Sequence, residues 1–150
     1  MKSQLKYREA EEVDFPSLLK MGEQLWTKIK KNELATHLRN ACNSNTKKVY
    51  IALTPEEEAV GFAVFSIRTD YVEGATTSPT GYLEGILIES KFRKMGIAKS
   101  FIQKGEAWCK ERGCSQLGSD TWLTATESRN FHKKLGFREE DELVHFLKEI

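Results

Sequence analysis

Two acids stand where acids are uncommon. Glu84 interrupts the apolar run YLEGILI at residues 82–88, and Asp120 ends the segment QLGSD at 116–120. A carboxylate inside an apolar strand is desolvated unless it faces a cleft or a cationic partner, so Glu84 is expected at one of these. Asp120 admits two readings: a proton acceptor at a strand end, or a cap for the orphan N–H groups of a following helix. Directly after Ile88 the chain reads ESKFRKMGIAKS, a basic, glycine-containing turn opening an amphipathic stretch. A helix N-terminus presents unpaired N–H groups that suit phosphate oxygens, Gly96 lets the backbone approach a ligand, and Lys94 and Lys99 add charge. The pattern GxxxxGK[ST] is missing, which leaves a phosphate-binding turn of another kind or an ordinary solvated turn. The three cysteines, Cys42, Cys109 and Cys114, form no CxxC pair and have no histidine placed to complete a zinc site, so no metal is expected.

The elements that must position these residues follow from periodicity. Residues 4–9 read as a strand. Phe15, Leu18, Leu19, Gly22, Leu25 and Trp26 recur three or four apart, as one face of a helix requires, with Pro16 in its first turn. A second helix is expected over 32–42, with Leu34, Leu38 and Cys42 on one side. The period then changes: residues 49–53 and 60–67 predict a hairpin, residues 68–80 a loop, and residues 82–88 the most apolar strand. A helix over 96–112 buries Ala98, Phe101, Ile102, Gly105, Trp108 and Cys109, with Gly113 ending it. A strand at 116–120, a helix at 126–135 stopped by Gly136, and two strands near 137–139 and 143–147 complete the expected order.

At 150 residues the chain suits one domain over 1–150, and an apolar share of 39% is enough to bury a core. Lys plus Arg number 23 and Asp plus Glu 22, a net charge of +1 that argues against nucleic-acid or membrane partners. The first residues, MKSQLKYREAEEVD, lack the apolar stretch of a secretory signal, and no run approaches a membrane span, so a cytoplasmic location with reduced thiols is expected.

Arg93-Lys94-Met95-Gly96-Ile97-Ala98 fits the [Q/R]xxGx[G/A] signature of the GCN5-related N-acetyltransferases, and Leu135-Gly136-Phe137 is similar to that family's C-terminal LGF. The resemblance implies a mixed α/β fold with a mostly antiparallel sheet, splayed between its fourth and fifth strands and flanked by helices. It implies acetyl-CoA as co-substrate, its pyrophosphate held by residues Lys94, Met95, Gly96, Ile97, Ala98 and Lys99, and its pantetheine arm by Ile86, Leu87 and Ile88 of a bulged strand. Gln24-Leu25-Trp26, residues 67–72 (IRTDYV), Ser78-Pro79, Tyr82-Leu83-Glu84-Gly85, Gly113-Cys114 and Ser119-Asp120-Thr121 further resemble the aminoglycoside 6'-N-acetyltransferases. In that group Trp26, Tyr71, Glu84, Asp120 and Asp141 would line the antibiotic site, and a homodimer is common. Taken alone, Trp26 reads as a core residue, Tyr71 as the cap of a small apolar cluster, and the run at 139–142 as a solvated face.

The implied chemistry is direct attack by a neutral amine on the thioester, so a cationic sugar must first lose a proton. Asp120 is the expected general base, with Glu84 holding or helping to deprotonate the amine. Backbone N–H groups near residues 86–88 would stabilise the oxyanion. Where many acetyltransferases carry a tyrosine four residues before the Gly of LGF, this chain has His132, and a common asparagine position is Ala125. The alternatives are an acetyltransferase of a polyamine or protein amine and a non-catalytic acyl-CoA sensor. Charge is polarised: residues 91–112 hold seven basic and two acidic side chains, whereas residues 139–142 are all acidic. The first patch suits a phosphate-bearing coenzyme and the second a cationic sugar.

Overall fold

The computed structural model describes residues 4–150. Its order is β1 (Lys6–Glu9), α1 (Phe15–Leu25), α2 (Lys31–Asn43), β2 (Lys47–Leu53), β3 (Ala59–Arg68), β4 (Thr80–Ile88), α3 (Ile97–Glu111), β5 (Leu117–Ser119) and α4 (Thr126–Lys134), with short 3-10 turns at Glu12–Asp14 and Ser90–Phe92. The five strands form one sheet in the order β1-β2-β3-β4-β5. The first three pairings are antiparallel and the β4–β5 pairing is parallel.

Two apolar layers sandwich this sheet. On one face α3 lays Ile97, Phe101, Ile102, Trp108 and Cys109 against Val60, Ala63, Phe65, Leu83 and Ile88. On the other, α1 and α2 pack Phe15, Leu18, Met21, Leu34, Leu38 and Ala41 against Val49, Ile51, Phe62 and Val64. Strand β3 alternates between the two layers because successive side chains point to opposite faces. Gly105 lets α3 approach β3 closely: a Cβ there would overlap the ring of Phe65. Gly113 (φ +85°) and Gly136 (φ +95°) end α3 and α4 in the left-handed region. The amides of Gly136 and Phe137 close back on Lys133 and His132, the αL helix ending that glycine permits.

Two features create the opening. First, the register of β3 with β4 shifts between Val64 and Phe65: Gly85 pairs with Val64 and Leu83 with Phe65, which leaves Glu84 as the extra residue of a bulge. Second, the β4–β5 ladder stops at Leu83 opposite Ser119. From Glu84 to Ile88 the outer edge of β4 therefore has no strand on it, which is the splay expected between the fourth and fifth strands.

Three expectations need correction. The strands expected near 137–139 and 143–147 do not form; residues 137–150 carry no regular structure, and Leu143, Val144, Phe146 and Leu147 are exposed. Apolar side chains cluster at 143–147, but among the described residues the segment pairs with no strand, and a lone segment has no ladder to hold it as one. On α2 the buried position is Ala41, and Cys42 faces solvent. Trp26 lies just past the end of α1 as its C-cap residue rather than within the helix stripe.

Candidate active site

The two acids lie at the splay, joined through two intervening side chains. Residues Tyr82 and Glu84 of β4 share a face with Ser66 and Arg68 near the end of β3. Arg68 donates from Nη2 to Glu84 Oε1 at 2.8 Å and from Nε to Oε2 at 3.2 Å, and the Ser66 hydroxyl donates to Oε2 as well. The same guanidinium lies over the ring of Tyr82, 3.4 Å from its centroid. The Tyr82 hydroxyl donates to Asp120 Oδ2. The order Glu84–Arg68–Tyr82–Asp120 is thus continuous. Burial opposes the charge on Arg68, but the Glu84 bonds and charge outweigh it and raise the arginine above its ordinary value. Burial, reinforced by the Asp120 bond, likewise raises the Tyr82 phenol, which stays a donor at any working pH.

Why these residues meet is local. Tyr82 is in register with Gly118 of β5, so Asp120, two positions on, is its diagonal neighbour. A Cβ at Gly118 would stand 3.1 Å from the Tyr82 ring and 2.8 Å from Val72, and its absence lets the ring reach across β5. Val72 is buried there and anchors the 69–79 loop, whose Thr76 amide also donates to Gln116 Oε1 at 2.8 Å.

The walls come from loops. A Cβ on Gly85 would overlap the indole of Trp26, so Trp26 stands directly against the residue after Glu84. Trp122 is exposed, with Lys28 Nζ 4.9 Å from its ring centroid. Tyr71 is exposed and donates to Glu73 at 3.2 Å; that bond, with a smaller contribution from the charge of Asp141, raises its phenol. Asp141 lies in the C-terminal segment, which runs beside the same loop: a Cβ on Gly74 would overlap the side chain of Glu140. Among the described residues no hydrogen bond joins Tyr71 or Asp141 to Glu84 or Asp120. The structure therefore links Glu84 with Asp120, sets Trp26 against Gly85 next to Glu84, and leaves Tyr71 and Asp141 exposed, one on the 69–79 loop and the other on the C-terminal segment beside it.

The turn after β4 has the features expected of an anion cradle. Arg93 Nε donates to Ile88 O at 3.1 Å, folding the turn back on the strand. Lys94 (φ +63°) and Gly96 (φ +82°) adopt left-handed conformations, and space beside Gly96 is open. The first helical bond runs from Ser100 N to Gly96 O, and no side chain caps the helix. By helix geometry the amides of Ile97, Ala98 and Lys99 have no acceptor within α3. Met95 is exposed, Lys94 and Lys99 face solvent, and Ile97 docks in the core while Ala98 is half-buried. On β4, Ile86 packs toward the α3 layer, Leu87 toward the α1–α2 layer, and Ile88 is buried. Open amides and flanking lysines fit the diphosphate of a coenzyme.

His132 of α4 also reaches the vertex. Its Nε2 is 2.8 Å from Ser119 Oγ and its Nδ1 2.7 Å from Ser128 O, and Phe137 lies 5.3 Å from its ring. The carbonyl partner makes Nδ1 the protonated nitrogen, so in the neutral ring Nε2 accepts from Ser119. No group of three or more His, Cys, Asp or Glu suited to a metal is found among the described residues. A concavity of about 330 Å³ lined by Glu9, Lys48, Tyr50, Lys104 and Trp108 lies between α3 and β2 and includes neither acid. The acids instead occupy an open face.

Sequence reasoning assigned no role to Arg68, Tyr82, Trp122 or Lys28. For Arg68 a signal existed: a strand carboxylate needs a cation, and a basic residue ending the adjacent strand is the natural source. Tyr82 required the β4–β5 register, and Trp122 and Lys28 are joined only by tertiary structure.

The acetyltransferase (GNAT) family matches residues 11–137. An aminoglycoside N(6')-acetyltransferase type 1 from Acinetobacter haemolyticus is 32% identical over 143 residues, covering 94% of this chain and 96% of that protein. The crystal structure of the aminoglycoside 6'-N-acetyltransferase AAC(6')-Ih from Acinetobacter baumannii is similar, with a TM-score of 0.92, 30% identity, and coverage of 98% of this chain and 99% of that one. The structure of AAC(6')-Iy with the bisubstrate analogue CoA-S-monomethyl-acetylneamine gives a TM-score of 0.91 at 30% identity, over 99% of this chain and 100% of that one.

Proposed function

The chain belongs to the acetyltransferase (GNAT) family, and from that premise we propose that it is an aminoglycoside 6'-N-acetyltransferase, one domain that transfers the acetyl group of acetyl-CoA to the 6'-amino group of aminoglycoside antibiotics and so confers resistance. The observation that carries this reading is the pair of linked carboxylates at the β4–β5 splay, beside a turn whose open amides and lysines suit a diphosphate.

The residues divide the work. Lys94 to Lys99 would hold the pyrophosphate, and the free edge of β4 at Ile86, Leu87 and Ile88 the pantetheine arm. Trp26, Tyr71, Glu84, Asp120 and Asp141 would receive the sugar. A protonated amine cannot attack a thioester. Asp120 spends Oδ2 on Tyr82, and among the described residues Oδ1 has no hydrogen-bond partner. It is therefore the carboxylate free to take the proton. The freed nitrogen forms a bond to the acetyl carbon, the C–S bond breaks with its electron pair on sulfur, and the proton that the nitrogen sheds on becoming an amide goes to the coenzyme thiolate.

The fitting assay measures thiol release from acetyl-CoA by the purified protein with kanamycin or tobramycin. Acceptor-dependent release, with 6'-acetylated product by mass spectrometry and a raised inhibitory concentration in a susceptible host, supports the reading. Acetylation of spermidine or a peptide but no aminoglycoside would move the assignment to another amine, and coenzyme binding without turnover on any amine would make the chain a sensor.

Two finer assignments accompany this. The enzyme is proposed to work in the cytoplasm, where acetyl-CoA is available and its three free thiols stay reduced; no described helix is long and apolar enough to cross a membrane. It is also proposed to be a homodimer. Support comes from Phe146 and Leu147, 92% and 93% exposed in an apolar segment that pairs with no described strand, and from β5, the last strand of the sheet order. A second copy would give both an edge to pair with.

A further inference from the structure

Tyr82 occupies an unusual position for a buried phenol. Only 6% of it is exposed, its ring is confined between Gly118 and the guanidinium of Arg68, and its hydroxyl ends on Asp120. Arg68 has a second obligation, because both of its donating nitrogens grip Glu84, whose Oε2 also accepts from Ser66. Glu84 is therefore already neutralised by a fixed cation and saturated by three donor atoms. Asp120 has no cation hydrogen-bonded to it among the described residues, and one of its oxygens is held from behind. The two acids are consequently unequal, although their sequence settings made either a possible base.

We propose that Tyr82 is a positioning residue for Asp120, and that Arg68, fixed by Glu84, holds Tyr82 in that role, so that the acceptor's proton passes to Asp120 alone. The proposal rests on the acetyltransferase reading above and adds which carboxylate receives the proton and what orients it. The proton moves from the acceptor ammonium to Asp120 Oδ1, Tyr82 keeps its own proton throughout, and Glu84 keeps both oxygens on Arg68 and Ser66. The charged and titratable groups around Asp120 are Tyr82 and Glu84 on β4, Arg68 on β3, Lys28 against neighbouring Trp122, and His132 on α4 through Ser119. Tyr82 is the one that donates directly to it.

Tyr82→Phe keeps the ring, the stack and the packing and deletes the donor. A hydrogen bond to a carboxylate favours its charged form, so its loss favours protonation. The expected result is a kcat lower by about ten- to a hundredfold, from the usual worth of a hydrogen bond to a charged group. The KM for acetyl-CoA stays unchanged, and the acid limb of kcat/KM against pH moves to higher pH. Glu84→Gln should retain that acid limb. Arg68→Lys, which keeps charge but loses the planar stack and fork, should recover only part of what Arg68→Ala loses. Calorimetric coenzyme binding and thermal melting report whether each variant is folded. The inference is overturned if Tyr82→Phe matches the parent, if it loses the same factor at every pH, or if Glu84→Gln abolishes the acid limb. If the parent enzyme acetylates a different amine, the functional reading falls, and the same pH comparison on that amine still decides the inference.

Discussion

The Tyr82 hydroxyl donates to Asp120 across adjacent parallel strands, because Asp120 is two residues beyond the glycine that Tyr82 faces. This diagonal bond commits one oxygen of the carboxylate and leaves the other for a substrate amine. It also makes Asp120→Asn an informative change, since the amide oxygen can still accept from Tyr82 while the side chain loses its basicity. We expect kcat to fall by about 10² to 10⁴, the usual range for a positioned general base, with little change in the KM for acetyl-CoA. Steady-state kinetics with both substrates varied will check this, and undiminished turnover would remove Asp120 as the base.

Far from the site, Asp14 is buried and held by Arg8 at 2.5 and 2.9 Å and by the amide of Glu11 at 2.7 Å. Burial pushes its carboxyl upward, but the Arg8 and backbone hydrogen bonds outweigh that and hold it below the usual range. A carboxylate depressed in the folded state adds stability above its unfolded pKa, near 4, and that contribution is lost as pH falls through the lower folded value. Melting temperature should therefore decline below about pH 4, and Asp14→Asn should flatten part of that decline. Arg8→Ala leaves the acid without its counter-charge and should cost about 3 kcal/mol at neutral pH by denaturant unfolding.

Gly105 faces a fully buried Phe65. Gly105→Ala raises helix propensity by about 1 kcal/mol, yet its methyl group would overlap the phenyl ring. Because overpacking costs about 1 to 3 kcal/mol, we expect net destabilisation in urea unfolding. A stabilised variant would mean that α3 can lift away from β3 at little cost.

Loss of the exposed apolar pair should report on assembly. Phe146→Asp combined with Leu147→Asp is expected to convert a dimer to a monomer in light scattering, with the far-UV spectrum of each chain retained. A monomeric parent protein would remove the proposed interface.

Thiol chemistry should be confined to one residue. Burial pushes Cys109 up to about 12 and raises Cys114; it raises Cys42 as well, with the charges of Glu12 and Asp14, but of the three only Cys42 is open to a reagent. Reaction with a neutral disulfide reagent should label one thiol rapidly in the folded protein and all three after unfolding. Cys42→Ser should abolish the rapid phase without reducing acetyl transfer.

Much of this architecture was legible in the residue pattern because it is decided locally. The stripe from Phe101 to Cys109 defined α3, Gly113 and Gly136 ended their helices for lack of a Cβ, and Glu84 in an apolar strand announced a partner or a cleft. The motif at 93–98 located the turn whose amides stay open. Where an element depended on a neighbour, the residue pattern misled: the apolar cluster at 143–147 suggested a strand, but among the described residues it pairs with none. Cys42 and Ala41 both lay near the helix stripe, and only the angle of α2 on the sheet decided which was buried.

The sequence by itself determined the elements from β1 to α4, the two acids and the separation of basic and acidic stretches, since these follow from short-range order and side-chain chemistry. Only the tertiary structure decided that Arg68 neutralises Glu84 and that Tyr82 aims Asp120. Those facts depend on the bulge at Glu84, the β4–β5 register and the gap at Gly118, where strands distant in sequence meet within hydrogen-bonding distance.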